Sequence, residues 1–282
     1  MNRSDLLKTL HLNQFIALDF ETTGLQVETD RIIEVAAILF QGGEPTKRFT
    51  SLVNPGIPIP ELIEEITGIT NSMVVDAPQE KDVVDEFFAF LGNLPIVAHN
   101  TPFDLSFLQF MAARYEKELT ERKYYDTLTL SRAFLYIQPA NNLSAVSDYF
   151  TLSTEGAHRA EYDTENCGKI FIELIEEAAS YDLDLISRII ALLKPFQVHN
   201  KDLFIDLGNS LAQKGDLKSG LVESRIPKPS NTNIFIHASE KDISNASGHD
   251  VFGPEGHLHL SFESFENRPN QVAYSQFVDN IM

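Results

Sequence analysis

The 282-residue chain has a single cysteine, Cys167, few basic residues and no long apolar run, and each scarcity excludes something. One thiol cannot close an internal disulfide, and no Cys–Cys or Cys–His spacing typical of a zinc site occurs. No stretch approaches the ~18 uninterrupted apolar residues of a membrane span, and the amino terminus, MNRSDLLKTL, lacks the apolar core of a signal peptide. The expectation is a soluble protein of the reducing cytoplasm with no membrane partner. With 22 Lys+Arg against 41 Asp+Glu, the net charge of −19 argues against wrapping a polyanion in a basic surface. Bound divalent cations can still reverse the sign locally, so charge alone does not settle the partner. The absence of G-x-x-x-x-G-K-[ST] excludes ATP binding by that loop.

What is present is 43% hydrophobic residues, enough to bury a sizeable core. Residues 15–20 form a short apolar run that ends at Thr22, Thr23 and Gly24, which reads as a buried strand and a turn. Residues 31–40 and 47–53 read as two more strands joined across Gly42-Gly43, a hairpin signal. Helical patterns follow at 59–66 and 79–91, then a strand at 95–98. A helix over 102–116 is expected next, with Thr101 as N-cap and Pro102 at the first helical position. Further helices are expected at 127–136, 142–149, 160–178 and 182–195. The fold class is therefore α/β, a mixed sheet flanked by helices with a less regular C-terminal extension.

Alternation in the first strand places Phe15, Ala17, Asp19 and Glu21 on one face. Two carboxylates ending an apolar strand are either a solvated strand end or a site that holds something positive. Asp104 heads the stripe Phe107, Leu108, Met111 and Tyr115; a first-turn acid suits the helix dipole, but its facing is inward. Asp163 heads Cys167, Ile170, Phe171 and Leu174 in the same way. His158 converges on Asp163 only if it lies in the loop before that helix. Four inward carboxylates coexist only around cations, and all-oxygen donors favour Mg²⁺ or Mn²⁺ over zinc. Two such ions ~4 Å apart clamp both oxygens of an in-line phosphoryl displacement, and a neutral imidazole can take a proton from the attacking water. Other polar residues read as bystanders. Glu34 alternates with Ile33 and Val35 and faces solvent, and Glu161 is a solvated first-turn acid. Asp126 and Asp148 cap helices, His99 packs beside a strand, and Cys167 is a small core residue.

The segments Asp19-x-Glu21-Thr22-Thr23-Gly24, His99-Asn100-x-x-Phe103-Asp104 and His158-x4-Asp163 resemble, in order and spacing, the signatures of the DEDDh (DnaQ-like) 3′–5′ exonucleases. NPGIPIPELIEEITGIT and YYDTLTLSR are similar to segments between those signatures. The resemblance covers an exonuclease domain over 12–178. It implies an RNase H-like fold, two metal ions on Asp19, Glu21, Asp104 and Asp163, and His158 as general base. It also implies that the backbone at Thr22, Thr23 and Gly24, with Asn100 and Phe103, holds the terminal nucleotide. The expected activity is hydrolysis at 3′ ends of single-stranded or frayed nucleic acid, DNA favoured. An RNA-trimming enzyme and a non-catalytic nucleic-acid-binding domain are the alternatives.

Residues 179–282 read as a helical and linker extension, with 226–256 rich in Pro, Ser, Asn and Gly. The last 18 residues, FENRPNQVAYSQFVDNIM, resemble the lead-in to the helicase core of DinG-type proteins. The implied partner is a helicase domain in cis, beyond a truncation, or a replication or repair protein.

Overall fold

A computed structural model of the chain describes residues 2–119, 121–135, 138–153 and 159–213. His158, the linker at 226–256 and the helicase-like 265–282 lie outside the described residues. The elements run α1 (Arg3–Thr9), β1 (Gln14–Thr22), β2 (Ile32–Gln41), β3 (Glu44–Leu52), α2 (Glu61–Thr67), α3 (Asn71–Val74) and α4 (Glu80–Leu91). They continue with β4 (Ile96–Ala98), α5 (Thr101–Arg114), β5 (Tyr124–Asp126), α6 (Thr127–Phe134), α7 (Leu143–Tyr149), α8 (Ala160–Ala178), α9 (Leu183–Leu193) and α10 (Lys201–Gln213).

The strands form one mixed sheet in the order β3-β2-β1-β4-β5. The first three are antiparallel, whereas β4 runs parallel to β1 and β5 parallel to β4. Gly42 and Gly43 turn β2 into β3 with φ of 64° and 96°, the positive pair that a tight hairpin requires. Strand alternation then sorts the core. Phe15 and Ala17 of β1 join Cys167, Ile170, Phe171 and Leu174 of α8 on one face. Ile16, Leu18 and Phe20 join Val84 and Phe87 of α4 and Phe107, Leu108 and Met111 of α5 on the other. Helix α8 approaches the sheet closely at Gly168, where an added Cβ would lie 2.2 Å from the Phe40 ring.

Several features depart from the pattern read in the sequence. Residue Asn100, in the left-handed region at φ 76°, is the N-cap of α5, and Thr101 is already helical. Thr101 is drawn inward because its hydroxyl donates to the Tyr125 carbonyl at 2.7 Å. Strand β5, three residues after a polar stretch, has no periodicity to betray it. Helices α1 and α10 have no counterpart among the expected elements, yet Leu6, Leu7, Leu203, Phe204 and Leu207 are buried with Phe15 and Phe171. Asn200 sits beside β5: its amide accepts from Asp126 N and donates to Asp126 O, both at 2.9 Å, as a neighbouring strand would. Asp148 lies in the last turn of α7, whose cap is Asn142, so it does not cap a helix. Among the described residues no helix is long and apolar enough to cross a membrane.

Candidate active site

The carboxyl end of β1 carries Asp19 and Glu21 on the face covered by α8. Helix α8 brings Asp163 to them, and ligand atoms of Asp19, Glu21 and Asp163 lie within 4.8 Å of one another. Asp104 arrives from the first turn of α5. It is 2% exposed, and its Oδ1 accepts the Phe20 N–H at 3.1 Å, which ties it to β1 between Asp19 and Glu21.

Burial drives the electrostatics. Desolvation, then the Asp163 and Glu34 charges, push Asp19 up to about 8. Glu21 is pushed up to about 9 by desolvation and then by Asp19, Asp163 and Glu34, with Arg159 opposing. Asp104 is raised well above the usual carboxylate range, chiefly by desolvation and next by Asp19, while the Phe20 N–H pulls the other way. Such a cluster favours the ionised form only with added positive charge, and oxygen donors suit a hard divalent cation. The residues present therefore fit a metal centre.

The two helix starts that deliver Asp104 and Asp163 share a construction. Neither N-cap residue, Asn100 or Arg159, offers a side-chain cap. At α5 the carboxylate of Asp126 substitutes, accepting Asn100 N at 3.0 Å and Thr101 N at 3.3 Å. It also accepts Leu128 N at 3.2 Å as the cap of α6, with a further bond from the Thr129 hydroxyl. At α8 the substitute is Glu34 on β2, which accepts Ala160 N at 3.1 Å and pairs with Arg159 at 2.8 Å. The expectation that Glu34 faces solvent is corrected: it is 4% exposed. The signal was an acid flanked by Ile32, Ile33, Val35 and Ala36, all apolar. Glu161 is a first-turn acid of α8 with a side chain 46% exposed, and it also pairs with Arg48 at 3.1 Å.

The loop after Glu21 is internally braced. A bulge falls between Glu21 and Thr22. Thr22 donates to the Gly24 carbonyl at 2.6 Å, and Thr23 donates to Asp30 at 3.2 Å while accepting Arg31 N at 3.0 Å. A Cβ on Gly24 would lie 2.5 Å from Asp30 Oδ2, so a side chain here would push the Asp30 carboxylate away from the Thr23 hydroxyl and the Gln26 N–H. Phe103 is half-buried against Phe107, with ring centroids 5.2 Å apart. A cavity of about 480 Å³ opens beside Asn100, lined among others by His99, Arg132 and Asn141. His99 lies beside the strand end as expected. Its pKa is lowered, first by burial, and its nitrogens contact Thr127 Oγ1 and the Asn141 carbonyl, each at 2.9 Å. Cys167 is a core residue whose thiol burial pushes well up.

A mixed five-stranded sheet with an acidic cluster at the carboxyl end of β1 defines the class of RNase H-like exonuclease folds. Residues 16–171 match the RNase_T exonuclease family, and the chain belongs to it. It is 32% identical over 201 residues to the 3′-5′ exonuclease DinG of Bacillus subtilis, covering 70% of this chain and 22% of that one. It is 35% identical over 163 residues to DNA polymerase III subunit epsilon of Aquifex aeolicus, covering 58% of this chain and 81% of that one. The shared region is 13% of a PolC-type DNA polymerase III from Oceanobacillus iheyensis, so this chain matches only a small part of some relatives. The nuclease domain of 3′hExo, a DEDDh family member bound to rAMP, shares the fold, with a TM-score of 0.50 and 19% identity. That match covers 58% of this chain and 92% of the other. The family implies divalent metal ions, and the acidic cluster could bind them.

Proposed function

We propose that the chain is a metal-dependent 3′–5′ exonuclease that hydrolyses the terminal phosphodiester bond of single-stranded or frayed nucleic acid, DNA favoured. The observation that carries this reading is the convergence of Asp19, Glu21 and Asp163 within 4.8 Å, with buried Asp104 bonded to the strand between them. These four carboxylates would hold two Mg²⁺ or Mn²⁺ ions. When bound, the ions supply Lewis-acid stabilisation of charge developing on the phosphate and lower the pKa of water.

The chain's own residues do the remaining work. His158, assigned by the resemblance of His158-x4-Asp163 to the DEDDh signature, takes the proton from the attacking water. The braced backbone at Thr22, Thr23 and Gly24 meets the terminal nucleotide, and Asn100 and Phe103 orient it. The cavity beside Asn100 has the volume of a small-molecule site, enough for a nucleotide base. The chemistry lies within residues 12–178, and the remainder, 179–282, is an extension. The DNA preference is supported by the relatives named as DNA polymerase III subunit epsilon and PolC-type DNA polymerase III. The likeness of residues 265–282 to DinG-type proteins supports a helicase in cis, or a replication or repair partner.

The test is degradation of 5′-labelled single-stranded DNA and its RNA twin with Mn²⁺ or with EDTA, beside His158→Ala. A ladder shortening from the 3′ end, metal-dependent and lost in the variant, is expected, faster on DNA. A folded, metal-supplied protein that leaves both substrates intact overturns the proposal.

A further inference from the structure

We infer that Glu34 is a positioning residue of the acidic site: from β2 its carboxylate clasps Arg159 and the first N–H of α8, and thereby sets where Asp163 stands. This rests on the reading of Asp163 as a metal-holding carboxylate and adds a residue outside the motifs that point to it.

A carboxylate at 4% exposure, between Ile33 and Val35 at 0%, must have its oxygens satisfied. Both are. Oε1 accepts Arg159 Nη2 at 2.8 Å, and Oε2 accepts Ala160 N at 3.1 Å with Arg159 Nε at 3.4 Å. Helix α8 needs this help, because Arg159 caps it with extended backbone and no side-chain bond. A negative group at that end also meets the positive pole of the helix.

The clasp acts on Asp163 through one turn. The N–H groups of Tyr162 and Asp163 both donate to the Arg159 carbonyl, at 3.0 and 3.2 Å. A displacement of residues 159 and 160 is therefore carried directly to Asp163, only ~4.5 Å further along the axis. Glu34 is also the register partner of Glu21 across the β1–β2 ladder. One side chain thus links β2, beside the strand that bears Asp19 and Glu21, to the helix bearing Asp163. A fifth-ligand role does not suit it, since its oxygens are occupied by donors and it lies outside the 4.8 Å trio. Simple attachment of α8 to the sheet has a separate device, Arg48 of β3 against Glu161 and Glu165.

The experiment measures Mn²⁺ affinity by electron paramagnetic resonance, turnover and KM on a labelled oligonucleotide, and thermal stability in EDTA. It uses the full chain and the variants Glu34→Gln, Arg159→Gln, both together, and Arg48→Gln. Gln at 34 keeps an acceptor for Ala160 N, and Arg159→Gln opens the same clasp from its half-exposed side, so folding is retained by at least one route. We expect Glu34→Gln to weaken Mn²⁺ binding about tenfold and lower turnover roughly 10–100-fold, as loss of an orienting partner does. KM should stay within about twofold, because substrate contacts are untouched. The double variant should be no worse than Glu34→Gln, and Arg48→Gln should leave Mn²⁺ affinity within about twofold, as befits an exposed pair. Wild-type Mn²⁺ binding and turnover in both clasp variants overturns the inference, as does a loss no larger than that of Arg48→Gln. A wild-type protein that binds no Mn²⁺ overturns the reading of the acidic site as well.

Discussion

Helices α5 and α8 each deliver one carboxylate to the same cluster, and their first turns are secured by different means. At α5 the clamp is Asp126, 4% exposed, which gathers three backbone N–H groups and a hydroxyl. The carboxylate it positions, Asp104, is 2% exposed and bonded to the Phe20 N–H. At α8 the clamp is Glu34, and its partner is a guanidinium whose side chain is 44% exposed. The carboxylate it positions, Asp163, is half-buried. The difference separates two kinds of support. A deeply buried clamp with neutral donors is part of the fold, and its loss is paid in stability. The carboxylate of Glu34 is just as buried, but it holds one backbone N–H where Asp126 holds three, and its guanidinium partner reaches solvent, so less of the fold depends on it.

The largest effects should come from the delivered carboxylates themselves. Asp104→Asn and Asp163→Asn should each lower exonuclease turnover on the order of 10³-fold, the scale of losing metal stabilisation of the transition state. Their stabilities in EDTA should diverge. Asp104→Asn should raise the melting midpoint, since it removes an acid that burial penalises, and Asp163→Asn should move it less. Equal shifts would break the comparison.

The same burial makes metal-free stability depend on pH in a defined direction. Asp19 moves from 3.8 to about 8 and Glu21 from 4.5 to about 9 on folding. Between those limits the folded chain retains protons that the unfolded chain has released, so stability falls as pH rises from about 4 to about 8. Mn²⁺, which needs ionised carboxylates, should stabilise more at the upper end of that window than at the lower. Denaturation in EDTA and in Mn²⁺ at both ends checks this, and a metal-free stability that rises with pH contradicts it.

Smaller effects test the supports. Asp126→Ala strands the N–H groups of Asn100, Thr101 and Leu128 and should cost about 3 kcal/mol in urea denaturation. Glu34→Gln should cost less than that, and the reverse order would invert the comparison. Gly168→Ala should cost about 2 kcal/mol, because the new methyl meets the Phe40 ring and α8 must lift. If α8 lifts as a unit, Mn²⁺ affinity should fall with it.

Much of the site was legible because it follows local periods. Alternation put Asp19 and Glu21 on the face of Phe15, and helical spacing put Asp104 and Asp163 at the heads of buried stripes. The partners of the residues that hold the site were not legible. Glu34 resembles a polar member of a strand until its partner Arg159, 125 residues away, is placed beside it. Thr101 has the chemistry of an N-cap, yet the Tyr125 carbonyl outcompetes that role from a strand too short to show a pattern.

What the sequence by itself determined is the mixed sheet, the order of its motifs and the four inward carboxylates, since a two- or 3.6-residue period is a property of neighbours along the chain. Only the tertiary structure decided which acids are clamps, how far Asp19 and Glu21 are pushed from their ordinary ionisation, and how α10 reaches β5. Burial and partnership depend on segments that meet only on folding, and it is burial that turns an acidic side chain into a held and perturbed one.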